Sequence, residues 1–127
     1  MRKGKLIHLL KGDNEELNMA AAEVNAKSKA SYIEDVFLHL VLMNTKREAI
    51  PEFEIAELDT DGDVIGINIA LDTETNYHLR LLAVTGKTNP KVYMQSFLTW
   101  LASEHKANGR VWIDDTPARA LPIRMRK

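Results

Sequence analysis

The chain has no cysteine. That excludes disulfides and thiolate chemistry, and it fits a reducing compartment. No apolar run approaches the ~18 residues of a membrane span. The opening Met1-Arg2-Lys3-Gly4-Lys5 is basic. The apolar run behind it, Leu6 to Leu10, contains His8 and falls short of the ~7–15 apolar residues of a secretory signal. No Asn-X-Ser/Thr sequon occurs. These absences lead to the expectation of a cytoplasmic protein with no membrane partner. The basic tail Arg119, Arg124, Arg126 and Lys127 holds no aromatic. The stacking platform that single-stranded nucleic acid requires is therefore missing there. With a net charge of −1, nucleic acid is not an expected partner. No repeat, linker or low-complexity tract interrupts the chain.

What is present suits one domain, 1–127. A chain of 127 residues buries roughly two-thirds of its unfolded surface and can hold a core without staples. Charge is unevenly spread. From Glu48 to Leu79 there are nine acidic residues and no Lys or Arg, whereas Arg80 to Lys127 has nine basic and three acidic. Solvated faces and charge-guarded strand edges explain this cheaply. Self-association of acid against base, or a basic C-terminal surface meeting an anionic ligand, explains it more pointedly.

Periodicity supplies the elements. Lys5 to Leu10 reads as a first strand, broken by Gly12-Asp13. Asp13 with Glu16 forms a capping-box pattern, and Leu17, Ala20, Ala21 and Val24 follow at helical spacing. Ser31 with Glu34 repeats the pattern. Tyr32, Ile33, Val36, Phe37, Leu40 and Val41 then predict a second helix to about Asn44. Val36 to Leu42 also fits a buried strand, and so short a run does not separate the two. Phe53 to Leu58 nearly alternates and predicts a strand. Asp61-Gly62 is a hairpin signal, because glycine accepts the positive φ of the turn. Val64 to Leu71 is the next strand, Asp72 to Asn76 a polar turn, and Tyr77 to Val84 a third strand, apolar on both faces and so central. Asn89 caps a helix with Pro90 in its first turn. Val92, Tyr93, Ser96, Phe97, Trp100 and Leu101 make that helix amphipathic, and Asn108-Gly109 ends it. Val111 to Ile113 reads as a last strand. The expected fold class is α+β: a mixed, mainly antiparallel sheet with packed helices.

This order of elements resembles the GNAT-type N-acetyltransferases over residues 50–121. The likeness is carried by the turn Asp61-Gly62-Asp63-Val64-Ile65-Gly66, a central strand like Leu81-Leu82-Ala83-Val84, the long amphipathic helix, a strand like Val111 to Asp114, and Pro117-Ala118-Arg119-Ala120. The resemblance implies coenzyme A binding through an Arg/Gln-x-x-Gly-x-Gly/Ala loop. The matching stretch here, Asn89-Pro90-Lys91-Val92-Tyr93-Met94, has no glycine, and Pro90 has no N–H to offer. The family's late tyrosine acid would fall near Pro122, and Tyr77 to Val84 holds no glutamate to act as base. What the resemblance leaves is an acyl-CoA-dependent transferase with a divergent loop. Lys87 and the Lys91, Val92, Tyr93 and Met94 amides would hold the pyrophosphate of acetyl-CoA, with Asp114 or His78 as base.

Other motifs stop short of chemistry. Gly86-Lys87-Thr88 lacks the P-loop glycine five residues earlier, where Leu81 stands. Glu57 to Gly62 resembles half a calcium loop, but Asn68 replaces the bidentate glutamate. His8, His39, His78 and His105 are far apart, with none at metal-ligand spacing, so no metal is expected. Asp114 and Asp115 are adjacent and point to opposite faces of a strand. The first expectation is a non-catalytic binding or interaction protein forming a homo-oligomer, without cofactor, with a protein or small anionic ligand as the other partners. The alternative is the acetyl-CoA-dependent enzyme.

Overall fold

From Gly4 to Leu10 the side chains alternate, with Ile7 and Leu9 buried, Lys5 half-buried on the same face, and Leu6, His8 and Leu10 exposed, the pattern of a strand with one wet face. The computed structural model describes residues 2–48, 50–58 and 63–108. There, Arg2–Leu10 is strand β1 and Val64–Asp72 is strand β2. They pair antiparallel, with Lys5 opposite Ile69, Ile7 opposite Ile67 and Leu9 opposite Ile65. Ile7, Leu9, Ile67, Ile69 and Leu71 point into the core. Leu6, His8, Leu10, Gly66 and Asn68 point outward. Leu6 lies across the outer face, its Cδ1 only 2.9 Å from where a Cβ on Gly66 would sit. Glycine is what makes that approach possible.

Four helices complete the described fold: α1 Lys11–Glu23, α2 Lys29–Thr45, α3 Thr73–Thr85 and α4 Pro90–Asn108. The result is a small α+β domain whose sheet, among the described residues, has two antiparallel strands. Helix α2 packs against β2, and α4 packs against α1, α3 and β1. Tyr32, Val36, Phe37 and Leu40 of α2 meet Met94, Phe97, Leu98 and Leu101 of α4 in one core. Each such side chain contributes roughly 1.5–3 kcal/mol by leaving water. No helix among the described residues is long and apolar enough to cross a membrane.

Several expectations are met. Residues 32–44 are helical, and Asn89 caps α4 by accepting the Val92 N–H at 2.9 Å. Others are corrected. The chain turns from β1 straight into α1, because the Lys11 N–H still donates to the Asp63 carbonyl at 2.8 Å. Asp13 therefore sits in the first helical turn instead of capping it. Ser28, not Ser31, caps α2, accepting the Ser31 N–H at 3.0 Å. Glu34 is thereby released from a capping box and takes the Ala70 N–H of β2 at 2.7 Å.

The predicted central strand Tyr77 to Val84 is helical. Asp72 accepts the Thr75 N–H at 2.7 Å and starts α3 there, so the supposed polar turn 72–76 is the helix's first turn. Leu79, Leu82 and Ala83 are buried, while Tyr77, Leu81 and Val84 stay exposed. Apolar residues on both sides of one helix imitate a strand buried on both faces.

Phe53 to Leu58 is not a strand either. The Ala56 N–H donates to the Ser96 Oγ, which donates back to the Ala56 carbonyl, both at 3.2 Å. The Phe53 ring lies against Tyr93, Phe97 and Trp100, with centroids 5.2, 5.4 and 6.5 Å away. This segment is anchored on α4 by side chains where a ladder was expected, and β2 pairs with β1 instead. The Asp61-Gly62 turn, the Val111 to Ile113 strand, Asp114, Asp115 and the tail fall outside the described residues.

Three helices end in the same way. After α1, α2 and α3, residues Asn25, Arg47 and Lys87 adopt φ of 56°, 62° and 60°. The next residue's N–H returns to the helix in each case: Ala26 to the Ala21 carbonyl, Glu48 to Met43 and Thr88 to Ala83. These are Schellman closures built without glycine at the left-handed position.

Candidate functional site at the open edge of β1

A two-stranded sheet has two edges, and this one treats them differently. The Ala70 N–H points away from β1, since it reaches Glu34. The pair Gly4–Ala70 is therefore a non-hydrogen-bonded pair, and the alternation of an antiparallel ladder extends this to Leu6–Asn68 and His8–Gly66. Backbone N–H and C=O groups of Gly4, Leu6 and His8 consequently point off the outer edge of β1. Among the described residues they meet no hydrogen-bond partner. The β2 edge is sealed in part by a carboxylate, whereas among the described residues no backbone partner takes up the β1 edge.

Beside that open edge lies a groove of about 250 Å³. Leu6, Ile7 and His8 form its strand side, Glu57 and Leu58 its loop side, and Lys91, Val92 and Gln95 its helix side, with Val64 at one end. Each wall has a local cause. Pro90 and the Asn89 cap fix where α4 starts, which sets Lys91 and Val92 at the groove. The Ser96–Ala56 exchange fixes residues 50–58 along α4 and carries Glu57 and Leu58 to the rim. The lining is largely aliphatic, with Lys91 and Glu57 as its exposed charges. Such a site can offer a row of backbone donors and acceptors flanked by apolar walls.

The residues expected to hold a cofactor are dispersed. Lys91 and Val92 line the groove. Tyr93 and Met94 are buried in the core, and burial pushes the Tyr93 hydroxyl above its ordinary pKa. Lys87 sits in the Schellman turn after α3. At the start of α4 the Val92 N–H is already taken by the Asn89 side chain and the Tyr93 N–H by the Asn89 carbonyl. His78 is half-buried on α3, 3.9 Å from Glu74, and lines a different hollow with Leu38, Val41, Leu42 and Thr45.

One polar cluster was illegible in the sequence. His105 of α4 is 5% exposed. Its Nδ1 lies 2.7 Å from Glu16 and its Nε2 2.9 Å from Glu23, both on α1. Both ring nitrogens face carboxylates, an arrangement that favours the doubly protonated ring, in which both donate. The Glu16 hydrogen bond is the main cause that raises the His105 pKa, with burial opposing it and Glu23 adding to the rise. Nearby, burial raises the Asp13 carboxyl, against a hydrogen bond from Thr99 and the charge of Lys106. Among the described residues no group of three acidic or histidine side chains is arranged to hold a metal ion. His105 thus serves as an interhelical clamp.

Sequence reasoning reached Lys91 and Val92 through the cofactor loop, but missed Leu6 and His8. Alternation shows which face of a strand is buried and says nothing about which edge is unpaired. No protein-family profile matches the chain, and no characterised protein or solved structure shows significant similarity to it.

Proposed function

We propose that this chain is a non-catalytic interaction module that binds an extended segment of another polypeptide along β1. The open backbone edge at Gly4, Leu6 and His8, running beside an apolar groove, carries the reading. An added strand gains main-chain hydrogen bonds from the edge and selectivity from the side pockets. Natural sheets usually blunt such edges with a charge, a bulge or a covering element. Here Glu34 does so on β2, and among the described residues nothing does so on β1.

The test is chemical-shift mapping on the isotope-labelled full chain with a neutral alternating heptapeptide, Ser-Val-Thr-Ile-Thr-Val-Ser. Shifts concentrated at Gly4 to Leu10, Leu58 and Val92 are expected. Shifts centred instead on the second hollow, formed by Pro51, Phe53, Leu82 and Gly86 among others, or no shifts at all at millimolar peptide, would overturn it.

A further inference from the structure

We infer that the extended segment taken up by this edge is β1 of a second copy of the chain. The two strands pair antiparallel about a two-fold axis at Leu6, and two sheets of two strands become one of four. The inference rests on the strand-addition reading above and names the strand that is added.

Register makes the first case. β1 has nine residues, Arg2–Leu10, so a full-length pairing with its own copy centres on Leu6. Gly4 then falls opposite the partner's His8, Leu6 opposite the partner's Leu6, and His8 opposite the partner's Gly4. These are the residues whose backbone groups point away from β2. Each of these pairs exchanges two main-chain hydrogen bonds, so none of the outward groups is left over. A slip of one residue would set them against groups already turned towards β2, and a slip of two would shorten the ladder. A two-fold interface is self-complementary in this sense: what Gly4 meets on one side, His8 meets on the other.

Side chains make the second case. Leu6 is 40% exposed on the outer face, and the two-fold axis sets it beside the partner's Leu6. His8 comes opposite a glycine, and nothing lies within 4 Å of where a Cβ on Gly4 would sit. That space suits the partner's imidazole. The remaining positions set Arg2 opposite Leu10, Lys3 opposite Leu9 and Lys5 opposite Ile7, so the register opposes no like charges. The exposed charges of the groove, Lys91 and Glu57, are one of each sign. Two copies therefore bring a balanced set to the seam, and a net charge of −1 adds little repulsion between them. A seam one strand long lies at the small end of specific interfaces, below about 1,200 Å². The dimer is accordingly weak and reversible, and the dilute chain is a monomer with its edge open.

The experiment is sedimentation of the full chain, native and as Leu6→Lys and Leu6→Glu. The native chain is expected to pass from monomer to dimer between about 10 μM and about 1 mM. Over the same range the amides of Gly4, Leu6 and His8 should exchange more slowly as the dimer forms. Each variant opposes two like charges at the axis and is expected to stay monomeric. An equimolar mixture of the two opposes a cation to an anion and is expected to dimerise. A native chain still monomeric at about 1 mM overturns the second copy. Strand addition then stands if the neutral heptapeptide shifts Gly4 to Leu10, and falls if it does not. A native dimer in which the Gly4, Leu6 and His8 amides stay fast, or one that both variants retain, has its interface elsewhere and overturns the inference. So does a mixture that stays monomeric while circular dichroism shows both variants folded.

Discussion

His105 and Glu16, 89 positions apart in the chain, are joined by a 2.7 Å hydrogen bond that ties α4 to α1. With Glu23 on the other ring nitrogen, the imidazole bridges two carboxylates of one helix. The last turn of α4 also favours a cation.

Because this histidine's pKa is raised in the folded chain, folding binds a proton more tightly. The clamp's contribution is fully present below the usual histidine value of about 6.5 and is lost as pH rises through the higher folded value. Thermal melts from about pH 6 upward should show a falling Tm that Glu16→Gln flattens. His105→Ala leaves Glu16 and Glu23 facing each other and should cost roughly 1–3 kcal/mol at pH 6, read by urea denaturation. A Tm that stays level or rises over this range would contradict the clamp.

The helix ends give a stabilising prediction. Arg47 and Lys87 hold φ near +60°, where a side chain is strained and glycine is not. Arg47→Gly and Lys87→Gly should each gain about 0.5–1 kcal/mol, a rise of roughly 3–5 °C in Tm. Asn25→Gly should gain less, since asparagine tolerates this conformation. Differential scanning calorimetry of the three variants checks the order.

Glu34 is predicted to guard the second edge. Glu34→Ala strips the Ala70 N–H of its carboxylate acceptor and should destabilise by about 1–3 kcal/mol, with faster exchange of the Ala70 amide. Glu34→Gln keeps an acceptor oxygen and should recover much of the loss. Exchange at Ala70 that is indifferent to both changes would count against this role.

Acetyl-CoA at millimolar concentration should leave Tm unchanged. The Val92 and Tyr93 amides that would face its pyrophosphate are engaged by Asn89, and Pro90 has no N–H. Since any ligand of the native state raises Tm, a clear upward shift would reinstate the transferase reading.

Much of the fold was legible because local signals and tertiary demands agreed. Alternation marked β1 and β2, and three- and four-residue spacing marked α2 and α4. Asn89-Pro90 gave the start of α4 to the residue. The failures have physical causes. Tyr77, Leu81 and Val84 are exposed among Glu74 and Arg80, so the polar face of α3 is broken by apolar residues and the segment passes for a strand. Phe53, Ile55 and Leu58 nearly alternate, but Ser96 and the aromatic cluster of α4 hold this segment where a ladder was expected. Helix ends were hard to read because Asn25, Arg47 and Lys87 stand where glycine usually signals a stop. The site itself depends on which edge of a sheet goes unpaired and on contacts such as His105–Glu23, 82 positions apart. Neither leaves a periodic trace.

Residue-resolved amide hydrogen exchange on the free chain tests the open edge most directly. The N–H groups of Lys5, Ile7 and Leu9, which face β2, are predicted to exchange slowly, and those of Gly4, Leu6 and His8 fast, in strict alternation. Uniform slow exchange along the whole strand would mean that something already covers the edge, and strand addition there would have no place to begin.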